Sequence, residues 1–118
     1  MAVAKEVEQF GIKMTVVEPG FFRTNLLDAQ NVRWGKSTIE DYSAEGSAEE
    51  MWSSYNGAQQ GDPVKLGQAL VKIAGMENAP QVFVAGSDAL AAVTPAIEER
   101  LQETRAYEEL SKSTDGAF

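Results

Sequence analysis

Pro19, Gly20 and Thr24 form the pattern Pro-Gly-x-x-x-Thr directly behind the β-branched run Thr15-Val16-Val17. Val16 and Val17 favour a pleated, buried strand. Pro19 cannot donate to a sheet ladder, and Gly20 lets the backbone turn sharply or approach a ligand closely. The segment therefore reads as a strand that ends in a binding loop, with exposed backbone N–H and C=O groups and one hydroxyl, on Thr24, as its chemical equipment. Ligands of open α/β sheets lie just beyond such strand ends.

Other reactive equipment is sparse. The 118 residues contain no cysteine and no histidine, which excludes disulfides, thiolate chemistry and the commonest general base and metal ligand. Acid–base work would fall to carboxylates, tyrosine or lysine. The acidic clusters Glu45, Glu49, Glu50 and Glu98, Glu99, Glu103 read as solvated helix faces, because hard-metal ligands must converge in space. Arg23 reads as a surface charge or ion-pair partner, and Phe21 and Phe22 could equally pack into the core. Eighteen acidic residues against ten basic ones give a net charge of −8, which disfavours nucleic acid and anionic membrane surfaces as partners. No apolar run approaches the roughly 20 residues that span a bilayer, and the start lacks a signal-peptide pattern. The expectation is a soluble cytoplasmic protein with no nucleic-acid or membrane partner.

The elements that would position the loop follow from periodicity and caps. Val3, Val7 and Phe10 make an apolar stripe on one or two helical turns over residues 2–10, and Gly11 suits the left-handed position that ends a helix. The strand is expected over 12–17. Residues 25–61 show no sustained period and contain Gly35, Gly46, Gly57 and Gly61. A stretch of this length within a compact domain is functional or disordered. Inside it, Ser47 followed three residues later by Glu50 fits a capping box and starts a short helix towards Tyr55. Asp62-Pro63 is a second helix start, with a side-chain acceptor at the N-cap and proline at the first helical position. Leu66, Ala69, Leu70 and Ile73 would form its buried face to about Gly75 or Met76. Asn78-Ala79-Pro80 breaks it before a strand over 81–85. Strand, helix and strand in that order imply a right-handed crossover and two parallel neighbours. Residues 89–110 read as helix, with Pro95 demanding a break or kink unless it falls in the first turn of a new segment, and 111–118 read as a tail. One domain is expected, with a modest core, since a chain near this size buries only about two-thirds of its unfolded surface.

These features together resemble the classical short-chain dehydrogenases/reductases. Their sixth strand ends in a Pro-Gly-x-x-x-Thr loop, matched here by Pro19, Gly20 and Thr24. Residues 4–13 look like the end of the family's long catalytic helix, 62–70 like its next helix, and 82–90 like its last strand with the turn beyond. The resemblance implies an α/β fold, the C-terminal portion of a Rossmann-like doubly wound parallel sheet. It also implies an oxidoreductase that moves a hydride between NAD or NADP and an alcohol or ketone. In the family this loop meets the nicotinamide, with the backbone at the position of Phe22 bonding the carboxamide and the threonine hydroxyl, here Thr24, assisting. Residues 25–61 resemble the variable substrate lid. Leu26, Leu27, Trp34, Met51, Trp52 and Tyr55 would line an apolar pocket there, or else merely anchor the segment to the core.

Departures from the family pattern are equally informative. Tyr42, Tyr55 and Tyr107 are followed four residues later by Gly46, Gln59 and Ser111, so no tyrosine has the family's lysine partner. No glycine-rich turn precedes a helix either. The resemblance therefore implies the carboxyl-terminal part of a longer enzyme, as a fragment or a truncated gene product, inactive by itself and with no catalytic residue of its own. The contrasting expectation is a stand-alone, non-catalytic binding or oligomerisation module. A sheet short of its neighbouring strand leaves edges and apolar faces that favour a homo-oligomer or other self-association.

Overall fold

The structure, a computed structural model, describes residues 2–35 and 46–116. Tyr42 and Glu45, and the last two residues of the expected tail, lie outside them. The element order is α1 (Ala2–Glu8), β1 (Val16–Pro19), α2 (Ala48–Ser53), α3 (Pro63–Ala74), β2 (Val82–Ala85), α4 (Ser87–Ala106) and α5 (Glu108–Lys112). β1 and β2 pair in parallel, with Val16 opposite Val82 and Pro19 opposite Ala85. This is a mixed α/β, Rossmann-like arrangement.

Local chemistry explains most boundaries. α1 ends in turns that close on Val7 and Glu8, and Gly11 follows at φ +71°, where a side chain would be strained. Ser47 and Glu50 form the reciprocal capping box: the Ser47 hydroxyl accepts the Glu50 N–H while the Glu50 carboxylate accepts the Ser47 N–H. The Ser47 N–H, chiefly, holds the Glu50 carboxyl below its ordinary pKa, and the Ser47 hydroxyl adds to the effect. The Asp62 carboxylate caps α3 by accepting the Val64 N–H at 2.8 Å, with Pro63 at the first position.

Three boundaries differ from the sequence reading. β1 begins at Val16 rather than residue 12, and it runs through Pro19. The register supplies the reason. Val16 donates to the Gln81 carbonyl and Gly20 to the Ala85 carbonyl, each at or below 2.9 Å. By the alternation of a strand, the even-numbered N–H groups therefore face β2 and position 19 faces the open edge, where a missing N–H breaks no ladder bond. Upstream, Thr15 meets Pro80 through its hydroxyl at 2.7 Å instead of through a ladder. Second, α4 starts at Ser87, two residues earlier than expected, and stays helical through Pro95; the interruption in the helix falls at Tyr107. The carbonyl that Pro95 leaves unpaired belongs to Ala91, which is exposed, so water can bond it. Third, α5 carries helix to Lys112, into the stretch read as tail, where Lys112 pairs with Glu108 at 2.7 Å.

The core is thin. Among the described residues the buried apolar side chains are Ile73, Ala85 and Ala89, from α3, β2 and α4. Leu66 and Ala69 are half-buried, while Leu70 lies at the exposed limit. The chain's surface of 10219 Å² compares with about 6,300 Å² for a compact monomer of its mass. Its radius of gyration of 20.3 Å compares with about 13.5 Å. The two-stranded sheet thus presents open edges and apolar faces, with Val16 and Val82 exposed at the start of the ladder. No helix among the described residues is long and apolar enough to cross a membrane.

Candidate functional site

The loop at residues 19–24 is held at several points, and the pattern of those bonds decides what it can offer a ligand. The Gly20 N–H is spent on Ala85 at the end of β2. The Phe21 N–H donates to the Asp88 carboxylate at 2.6 Å. Gly61 then forms an isolated parallel bridge with Phe22: its N–H donates to the Phe21 carbonyl at 2.9 Å and its carbonyl accepts the Arg23 N–H at 2.8 Å. The Arg23 guanidinium bonds the Gln59 carbonyl at 3.0 Å. A parallel bridge uses the groups of the residues flanking its centre. Both backbone groups of Phe22 therefore face away from Gly61, and neither has a partner among the described residues. The loop presents one free donor and one free acceptor, side by side, on a braced backbone.

The brace has steric requirements. A methyl group on Gly20 would sit 2.5 Å from the Asp88 carboxyl carbon, and one on Gly86 2.5 Å from Asp88 Oδ1, with Gly86 also at φ +109°. Asp88 occupies the space that these two glycines leave. It lies in the first turn of α4, where a negative charge meets the helix dipole favourably. The Phe21 N–H, chiefly, holds its carboxyl below the ordinary aspartate range.

A depressed folded-state pKa contributes stability above the ordinary aspartate value, and that contribution disappears as pH falls through the lower folded-state value. Melting curves of the unaltered chain and of Asp88→Asn are therefore expected to lie furthest apart near neutrality and to converge on acidification. A gap that does not vary with pH would contradict this bond.

Beyond the loop lies a cavity of about 590 Å³, within the size range of small-molecule sites. Pro19, Gly20, Phe22 and Thr24 form one wall of it, and Leu26, Leu27, Trp34 and Trp52 another. Phe21, Gln59 and Leu66 complete the described lining, which carries no charged or titratable side chain. Tyr55 stands behind this wall: it stacks on Phe21 with ring centroids 5.2 Å apart and planes 2° from parallel, while Trp52 tilts against both rings. Met51 is exposed and takes no part. The Thr24 hydroxyl accepts the Leu26 N–H at 3.3 Å, which leaves its own proton free to donate. The acidic residues form no cluster able to hold a metal among the described residues.

Asp88, Gly61 and Gln59 belong to the site without being marked as such by the sequence. Asp88 carries a faint local signal, an acid just past a strand and glycine. Its bond to Phe21 spans 67 residues, beyond any local pattern.

No family model matches the chain. An uncharacterized oxidoreductase of Schizosaccharomyces pombe is 32% identical over 81 residues, which cover 69% of this chain and 27% of that protein. The oxidoreductase BOA17 of Botryotinia fuckeliana is 30% identical over 116 residues, 92% of this chain and 39% of that protein. The crystal structure of a short-chain dehydrogenase from Streptomyces avermitilis matches 97% of this chain and 40% of its own at a TM-score of 0.69, with 29% identity. The chain thus spans between a quarter and two-fifths of the length of these proteins. By sequence the chain is similar to parts of these oxidoreductases, and by fold it is similar to part of the short-chain dehydrogenase.

Proposed function

We propose that this chain provides the nicotinamide- and substrate-facing part of a cytoplasmic NAD(P)-dependent oxidoreductase acting on an alcohol or ketone. The observation that carries the reading is the pair of free backbone groups on Phe22. A carboxamide needs both an acceptor for its NH2 and a donor for its oxygen, and the Phe22 C=O and N–H supply them on a backbone fixed by Gly61 and Asp88. The Thr24 hydroxyl adds a donor two residues on. Bound there, NAD(P)H would supply the hydride. The apolar wall of Leu26, Leu27, Trp34 and Trp52, with Tyr55 behind it, would exclude water and seat the substrate's carbon frame over that position. Residues 25–61 then act as a substrate lid.

The described lining carries no titratable side chain to act as general acid towards a carbonyl oxygen, and no tyrosine in the sequence has the family's lysine four residues on. We therefore propose that the chain alone binds but does not turn over. Titration with NADH and with NADPH, followed by nicotinamide fluorescence, is expected to saturate, with no oxidation of the cofactor when acetophenone is added. Failure to saturate at millimolar cofactor would overturn the binding assignment, and turnover would overturn the inactivity.

A further inference from the structure

Gln59 stands apart from the rest of the cavity wall. It is only 5% exposed, yet it lines a space beside Leu66, Phe22 and Trp52 whose one other polar side chain in the described lining is the Thr24 hydroxyl. Burying a carboxamide is costly unless its groups are bonded. One half of that requirement is met: the Oε1 atom accepts the Gly57 N–H at 2.8 Å, and Arg23 fixes the residue's backbone through its carbonyl. This fixes which side-chain atom is the oxygen, because a backbone N–H needs an acceptor. The other half is open. The amide nitrogen, with two N–H donors, has no hydrogen-bond partner among the described residues. Nor is any of their buried polar side-chain atoms sealed from the surface without a partner, so the nitrogen keeps an open side, and the space that Gln59 lines is this cavity.

We propose that Gln59 is the specificity-determining donor of the cavity, and that its carboxamide N–H binds an acceptor oxygen on an otherwise apolar, uncharged substrate. This rests on reading the cavity as the substrate site. The chemistry of the wall sets the class. Aromatic and leucine side chains reward a hydrocarbon frame, the absence of a cationic side chain in the described lining leaves a carboxylate or phosphate uncompensated, and the one buried amide rewards a carbonyl, ether or hydroxyl oxygen. A substrate without that oxygen leaves the Gln59 donor dry and unpaired, which is a stronger basis for discrimination than apolar contact alone.

Acetophenone and ethylbenzene share a carbon frame and differ by C=O against CH2, so their binding to the full chain, measured by ligand-observed NMR, isolates the acceptor. Gln59→Glu keeps an oxygen for the Gly57 N–H while deleting the donor; Gln59→Met deletes both. Each is expected to reduce the preference for acetophenone over ethylbenzene by about three- to tenfold, with ethylbenzene binding to Gln59→Met within about twofold of the unaltered chain. A further measurement needs no variant: the Gln59 side-chain amide resonances should shift with acetophenone and stay in place with ethylbenzene. An unchanged preference in both variants, or amide resonances indifferent to acetophenone, overturns the assignment to Gln59 while leaving the cavity as a site. If neither compound binds the unaltered chain, the cavity reading falls and the assignment falls with it.

Discussion

Gly20→Ala is expected to cost about 1 to 3 kcal/mol of stability and to unseat the loop at residues 19–24. The added methyl group would lie 2.5 Å from the Asp88 carboxyl carbon, closer than real side-chain contacts come. Retreat of Asp88 would take with it the acceptor of the Phe21 N–H. Retreat of the backbone would break the Gly20 bond to Ala85 that ties the loop to the sheet. Because the cost arises from one shared space, the double variant Gly20→Ala with Asp88→Ala is expected to lose less than the sum of the two single losses. Additive losses in denaturant melts would mean that the two residues do not compete for that space.

Gly61→Ala is expected to be comparably damaging, by about 1 to 3 kcal/mol, through the opposite flank of the same loop. Its methyl group would meet two ring carbons of Phe22 at 2.7 Å and the Phe21 carbonyl oxygen at 2.8 Å. The ring could swing aside, but the carbonyl is held by the Gly61 N–H itself, so the bridge has to open. The Phe22 backbone would then lose its fixed orientation, and cofactor affinity should fall along with stability. A Gly61→Ala chain that melts with the unaltered one would show that the bridge does not order the loop.

These two glycines also mark where the sequence stopped being readable. Elements governed by neighbours a few residues apart were legible: the Ser47 to Glu50 capping box, the Asp62-Pro63 start of α3 and the left-handed Gly11 each satisfy a local demand of helix ends. The Pro-Gly end of β1 was legible too, because strand propensity is a local signal. What brings them together is not local. Asp88 reaches Phe21 across 67 residues and Arg23 reaches Gln59 across 36, and nothing in the residue types alone specifies those pairings. Pro95, by contrast, does not break α4. Its cost depends on whether water can reach the freed carbonyl, and Ala91, which carries that carbonyl, is exposed. The early start expected for β1 failed because a ladder also needs a partner, and β2 has none to give before Gln81.

The free N–H and C=O of Phe22 are the place where a nicotinamide would bind. Backbone amide NMR of the nitrogen-15-labelled chain, titrated with NADH, tests this most directly. The expected result is saturable movement of the Phe22 amide and its neighbours through Thr24, together with the indole N–H signals of Trp34 and Trp52, the only two tryptophans in the chain, while amides of α1 and α5 stay in place. An unmoved loop at saturating NADH, or shifts confined to residues remote from Phe22, would contradict it.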